Sequence, residues 1–304
     1  MAVPRSIALL LLLQAMIWGS AFPMIKLGLE DFSPAHFTLL RHLVASLTFV
    51  PLLLAFKARL LPKRADAPFF LLLGVVGFLV YHLALNYGEV RVSAGAASLI
   101  IATAPAMTAL IAAFMTSDRL PFAGWVGSAI SFLGVTLIVL AEGRQALAGG
   151  FSLYALLIVL AAAATSFYAV LQRKMFARYR PIEVAAFATW FGTAPMLVLL
   201  PGIGPELSSA GSMAWLATIY NGVVPSAIAY TIFAYALSKS PVTVVTAFLY
   251  MVPLFGLLSA WLLLGEVPPL LTYVGGAVAL GGVVLLNLAK QRQAKRRALL
   301  AVGT

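Results

Sequence analysis

Long apolar runs alternate with brief polar interruptions along almost the whole chain. The runs fall near residues 7–26, 34–56, 67–87, 92–116, 121–141, 152–172, 181–201, 212–236, 242–264 and 269–289. About 20 helical residues cross the roughly 30 Å hydrocarbon core of a bilayer, so the pattern predicts ten transmembrane helices. A membrane-spanning barrel would show short alternating strands instead, and none are visible. The longest polar interruptions, 57–66, 142–151 and 202–211, are too short for an extramembrane domain. Whatever the chain does must therefore happen within or between its helices.

The first half of the chain falls on the second when it is slid by 148 positions. Tyr87 then meets Tyr235, Pro105 meets Pro253, Asp118 meets Glu266, Pro121 meets Pro269, Gly127 meets Gly275 and Gly134 meets Gly282. Two copies are expected, 1–148 and 149–304, joined at a turn near Gly149 and Gly150, each carrying five helices. An odd number of crossings ends on the side opposite its start, so the second copy enters the bilayer upside down. The expected fold class is an all-α integral membrane protein, with ten helices as two inverted five-helix repeats around a central cavity. Arg5 followed by an apolar run has the form of a secretory leader, but removing it would leave the first copy one helix short.

Composition agrees with the pattern. The chain is 62% hydrophobic and 10% charged, with a mean hydropathy of +1.03, which excludes a soluble domain. A net charge of +11 raises nucleic acid as a partner, and the distribution of that charge argues against it. With the N-terminus inside, 16 of the 20 Lys and Arg face the cytoplasm, among them Arg5, Lys57, Arg64, Arg173, Arg180, Lys239 and Arg297, as the positive-inside rule requires. Both termini are expected there, and the basic run Lys290 to Arg297 at the leaflet surface. Loop 57–66 holds four basic residues and its counterpart 202–211 none, as opposite orientations demand. The absence of cysteine excludes disulfides and thiolate metal sites. Small residues in helix 5 (Gly124, Gly127, Ser128, Ser131, Gly134) and helix 10 (Gly275, Gly276, Ala279, Gly282) predict close packing inside a monomer, with a homodimer face as the alternative.

Enzyme signatures are missing: there is no phosphate loop, no zinc-protease motif and no nucleophile elbow, so no catalytic residue, cofactor or metal is expected. All nine acids map to loops or helix ends, which leaves no mid-bilayer carboxylate as an ion relay. If protons are coupled, His82 is the titrating group. The span centres hold polar-tipped aromatic residues instead. Trp18, Phe78, Trp190 and Tyr250 lie within about three residues of their helix centres, and Asn221 and His82 within about five, or roughly 8 Å. Phe78, His82 and Asn86, four apart, share a face of helix 3, as Gln14 and Trp18 do on helix 1. In helix 9, Thr243, Thr246, Tyr250 and Pro253 form a polar stripe that must turn inward in lipid. With Tyr168 and Tyr230, the candidate substrate-binding set is Trp18, Phe78, His82, Asn86, Tyr168, Trp190, Asn221, Tyr230 and Tyr250. Pro105 and Pro253 interrupt helices 4 and 9 as fixed kinks or as hinges. Arg41 reads as a snorkelling or structurally paired residue rather than a substrate contact.

The opening Trp18-Gly19-Ser20-Ala21-Phe22, Pro34 followed by Arg41, and Leu264-Gly265-Glu266 ahead of Pro268 stand in order within a ten-helix duplication. In this the chain resembles, over nearly its whole length, the EamA branch of the drug/metabolite transporter superfamily, and within it most nearly the bacterial exporters of aromatic amino acids. The second copy has Ala164-Thr165-Ser166-Phe167-Tyr168 where the first has Trp18, so strict two-fold symmetry of the site is not expected. The resemblance implies alternating-access export of small metabolites across a bacterial inner membrane, through a cavity walled mainly by helices 1, 3, 4, 6, 8 and 9. Aromatic faces with a few neutral hydrogen-bonding groups suit aromatic or neutral amino acids. Their charged ends would be met by His82, Asn86, Gln14 or backbone freed at the prolines. Export of another metabolite or drug is the alternative, a membrane enzyme acting on lipid a remote one.

Overall fold

A computed structural model describes residues 5–115, 120–146, 153–240, 245 and 248–302. The first copy holds α1 (Arg5–Gly28), α2 (Pro34–Ala55), α3 (Ala67–Gly74), α4 (Tyr81–Glu89), α5 (Ala94–Ile101), α6 (Ala104–Met115) and α7 (Phe122–Ala146). The second holds α8 (Leu153–Gln172), α9 (Pro181–Met196), α10 (Ile203–Ser209), α11 (Ser212–Asn221), α12 (Tyr230–Lys239), α13 (Val252–Leu264) and α14 (Leu270–Val302). Among the described residues nine helices are long and apolar enough to cross a membrane, and Phe248–Leu264 is a shorter apolar helix where the ninth run is expected. Thr243 and Thr246 of the expected stripe, and the Gly149–Gly150 turn, lie outside the described residues.

The interruptions repeat as the sequence does. Helix 3 is α3 and α4 joined through a widened π turn, Val75–Val80, and helix 8 is α11 and α12 joined through another, Gly222–Ala229. The slide lays the first inside the second. Pro225 supplies the cause in the second copy, since it has no N–H to give to a regular turn. Helix 4 stops at Ile101, turns at Ala102 and Thr103, and restarts as α6 with Pro105 in its first turn. The equivalent stretch, Phe248–Met251, is a tight 3₁₀ turn before α13, with Pro253 in the first turn. Both prolines thus stand where a missing N–H costs nothing.

Most of the described acids are spent on helix beginnings, whose N–H groups have no partner within their own helix and carry partial positive charge. Glu206 accepts from the Ser33 N–H at 3.0 Å ahead of α2, Glu142 from Ser93 at 3.1 Å ahead of α5, and Glu266 from Ala94 at 2.8 Å. Asp31 accepts from Gly211 at 2.8 Å ahead of α11, and Glu183 from Arg180 at 2.8 Å ahead of α9. Burial pushes the Glu206 carboxyl up, but Ser33 and His36 outweigh it and hold it below the usual carboxylate range. Most of these bonds join the two copies.

Among the described residues the largest helix contact is α7 against α14, helix 5 of one copy on helix 10 of the other. A Cβ at Gly127 would lie 2.6 Å from the Gly282 oxygen, and one at Gly134 2.3 Å from the Ala279 nitrogen. The small-residue stripes face each other within the monomer, in a close approach typical of helices in lipid.

Candidate functional site

A cavity lies between the two copies. It is lined from α1 by Trp18, Ala21, Phe22 and Ile25; from α4 by Tyr81, His82 and Leu85; and around the break of helix 4 by Ala102, Ala104, Pro105 and Thr108. The second copy adds Thr165 and Tyr168 of α8, Pro225 of its π turn, Tyr230 and Phe233 of α12, and Leu249 and Val252. Arg41 of α2 completes the wall. The contributing helices are those the resemblance implies, with helix 2 in addition. The cavity volume is about 100 Å³. Since roughly 10–15 Å³ of such space holds one water, this takes several waters.

The wall is an aromatic cage tied to the irregular turns. The Trp18 indole N–H donates to the Pro225 carbonyl at 3.2 Å, and its ring centroid lies 5.3 Å from Tyr230, edge-on, and 5.2 Å from Phe233. The His82 Nδ1–H donates to the Phe78 carbonyl at 3.0 Å. The His42 ring packs 4.3 Å away, its own Nδ1–H held by Thr38 O at 2.7 Å. Gly77 makes room for Tyr168, because a Cβ there would lie 2.4 Å from that ring.

Of the sequence-derived candidates, Trp18, His82, Tyr168, Tyr230 and Pro105 line the cavity. Phe78 stands behind them, fully buried against Tyr230, Tyr168 and His82. Asn86 is occupied elsewhere, donating to Thr38 Oγ1 at 2.7 Å. Trp190 donates to the Ser46 carbonyl at 3.0 Å within the α2–α9 core, and Asn221 to Ala217 O at 3.0 Å. Tyr250 is hydrogen-bonded to Asn287, and Pro253 is buried outside the lining. Gln14 is buried, also away from the wall, with neither amide atom paired.

Of the two readings of Arg41 the structure bears out structural pairing, and Glu89 stands at the helix end where it is expected, but both are buried. Arg41 does not reach an interface: it is 2% exposed, donates from Nη2 to Ser226 Oγ at 3.1 Å and faces the cavity. Packing explains this, because α4, α9, α11 and the second π turn surround α2 and close its way out. Glu89 does end a helix, yet it is 1% exposed and neither oxygen has a hydrogen-bond partner. Among the described residues no three His, Asp or Glu gather as a metal site.

The EamA-like transporter family profile matches the chain twice, over residues 5–140 and 152–288. An uncharacterized transporter of Bacillus subtilis, YdfC, is 40% identical over 90% of this chain and 88% of its own length. A probable terminal-alkyne amino-acid exporter of Streptantibioticus cattleyicolor is 38% identical over 93% of this chain and 95% of its own. A probable amino-acid metabolite efflux pump of Salmonella typhimurium is 28% identical over 92% and 94%. A solved structure, described only as the crystal structure of a protein, shares the fold with a TM-score of 0.67 at 22% identity, covering 96% of this chain and 99% of that one.

Proposed function

This chain belongs to the EamA-like transporter family, and from that premise we propose that it exports aromatic and other neutral amino acids from the cytoplasm by alternating access through the cavity between its copies. The observation that carries the proposal is the cavity wall: aromatic rings from both copies, with a few polar groups set among them. Such a wall gains from burying an apolar body and offers fixed partners to a compact polar end. The names of two relatives, an amino-acid exporter and an amino-acid metabolite efflux pump, support the same substrate class. The charge distribution supports a bacterial inner-membrane setting with both termini cytoplasmic.

Counterflow in proteoliposomes tests this. Vesicles loaded with unlabelled phenylalanine should take up labelled phenylalanine faster than empty ones, with tryptophan, tyrosine and leucine competing. Repeating the assay with an imposed pH gradient separates facilitated from proton-coupled movement. Equal uptake by loaded and empty vesicles would indicate a channel, and no uptake of any amino acid would reject the substrate class.

A further inference from the structure

A guanidinium carries five N–H donors and a charge it does not surrender. That of Arg41 spends one donor on Ser226, 3.1 Å away, and its carbon lies 5.9 Å from the Phe37 ring centroid. The hydrogens of Nε and Nη1 have no partner in the protein. Among the described residues no carboxylate lies within ion-pair distance of it. Tyr81 and Tyr230 stand in its electrostatic reach, as do His42 and His82. Glu89 is within that reach too, but it makes no hydrogen bond and sits beside the Lys26–Glu266 pair, whose atoms are 3.2 Å apart.

A buried cation with open donors is costly unless an anion reaches it. Arg41 is part of the cavity wall, so the cavity is the route by which one can arrive. Building on the amino-acid reading above, we infer that Arg41 is the anchor for the substrate's carboxylate, and that the cavity selects organic carboxylates with an apolar body over amines and neutral analogues. The planar guanidinium suits a carboxylate in a way that a hydroxyl or amide does not. Ser226 Oγ holds it in place, on the same π turn whose Pro225 carbonyl holds Trp18. One irregular turn therefore sets both the polar and the aromatic side of the site.

The test is competition against labelled phenylalanine in counterflow, using phenylalanine, phenylalaninamide, 3-phenylpropionate and phenethylamine on the wild type, Arg41→Lys and Arg41→Gln. In the wild type, 3-phenylpropionate should compete, while phenylalaninamide and phenethylamine should be roughly 10- to 100-fold weaker than phenylalanine, the factor for losing a hydrogen bond to a charged group. Arg41→Gln should weaken phenylalanine by a similar factor and erase its advantage over the amide, and Arg41→Lys should restore part of it. Phenylalaninamide competing as well as phenylalanine in the wild type would overturn the inference, even if Arg41→Gln failed to fold. So would an Arg41→Gln protein that folds and keeps the wild-type preference. If no amino acid is moved but 3-phenylpropionate raises the Tm of the wild type in detergent and not that of Arg41→Gln, the transport reading is defeated and the anchor stands. A protein that moves phenylalanine and its amide alike would do the reverse.

Discussion

Valine at position 134 is expected to leave little folded protein to purify. A Cβ on Gly134 would lie 2.3 Å from the Ala279 nitrogen and 2.5 Å from the Gly275 oxygen, both backbone atoms of α14. A flexible side chain would swing aside, but backbone gives way only if two whole helices part. Overpacking in a core costs typically 1–3 kcal/mol, and a rigid obstacle over the main contact between the copies puts this case at about 3 kcal/mol or more. Gly281 is the control, since no atom lies within 4 Å of a Cβ built there. Gly281→Val should give wild-type yield and melting in detergent. Gly134→Val should give aggregated protein or a much lower Tm, and a Gly134→Val protein that melts like the wild type would show that α7 and α14 are not pressed together.

Trp18→Ala should produce the largest loss of transport in a protein that still folds. Trp18 closes the aromatic wall against Tyr230 and Phe233 and ties α1 to the second π turn through Pro225. Truncating a central aromatic anchor costs about 2–4 kcal/mol of binding, a factor of roughly 30 to 1,000 in the half-saturating concentration of phenylalanine. Trp18→Phe keeps a ring but loses the indole N–H and should fall between. Trp190→Phe separates a site effect from a general one, because Trp190 has a comparable bond, to Ser46 O at 3.0 Å, but lies outside the cavity. Its transport should stay near wild type, and equal losses at both tryptophans would remove the reason for placing the site at Trp18.

The helical runs and the duplication were plainly legible in the sequence, because lipid demands long apolar stretches and the slide aligns prolines and glycines that few other residues can replace. The small-residue stripes of helices 5 and 10 pointed correctly to packing within the monomer. The π turns at Val75–Val80 and Gly222–Ala229 were not legible, since widening a turn needs no special composition; Pro225 was the one trace. Each extra residue turns the helix beyond it by about 100°. Intervals of four counted across Val75–Val80 therefore do not tell which of Phe78, His82 and Asn86 meets the cavity, and only His82 does. Depth can be counted along a helix, whereas facing depends on neighbours, so Trp190 and Asn221 went to helix contacts. Arg41 carried a usable signal, an arginine two turns into an apolar helix beside His42. The enclosure by α4, α9, α11 and the π turn that keeps it from the interface exists only in the fold.

The natural absence of cysteine makes the cavity itself the most direct thing to measure. Thr108→Cys places a single thiol in the lining. In oriented membranes it should react with a membrane-impermeant thiol reagent added from the cytoplasmic side and, in turn, from the opposite side, with phenylalanine slowing both reactions. Labelling from one side only, or at a rate that phenylalanine does not change, would contradict a shared cavity that opens alternately to the two faces of the membrane.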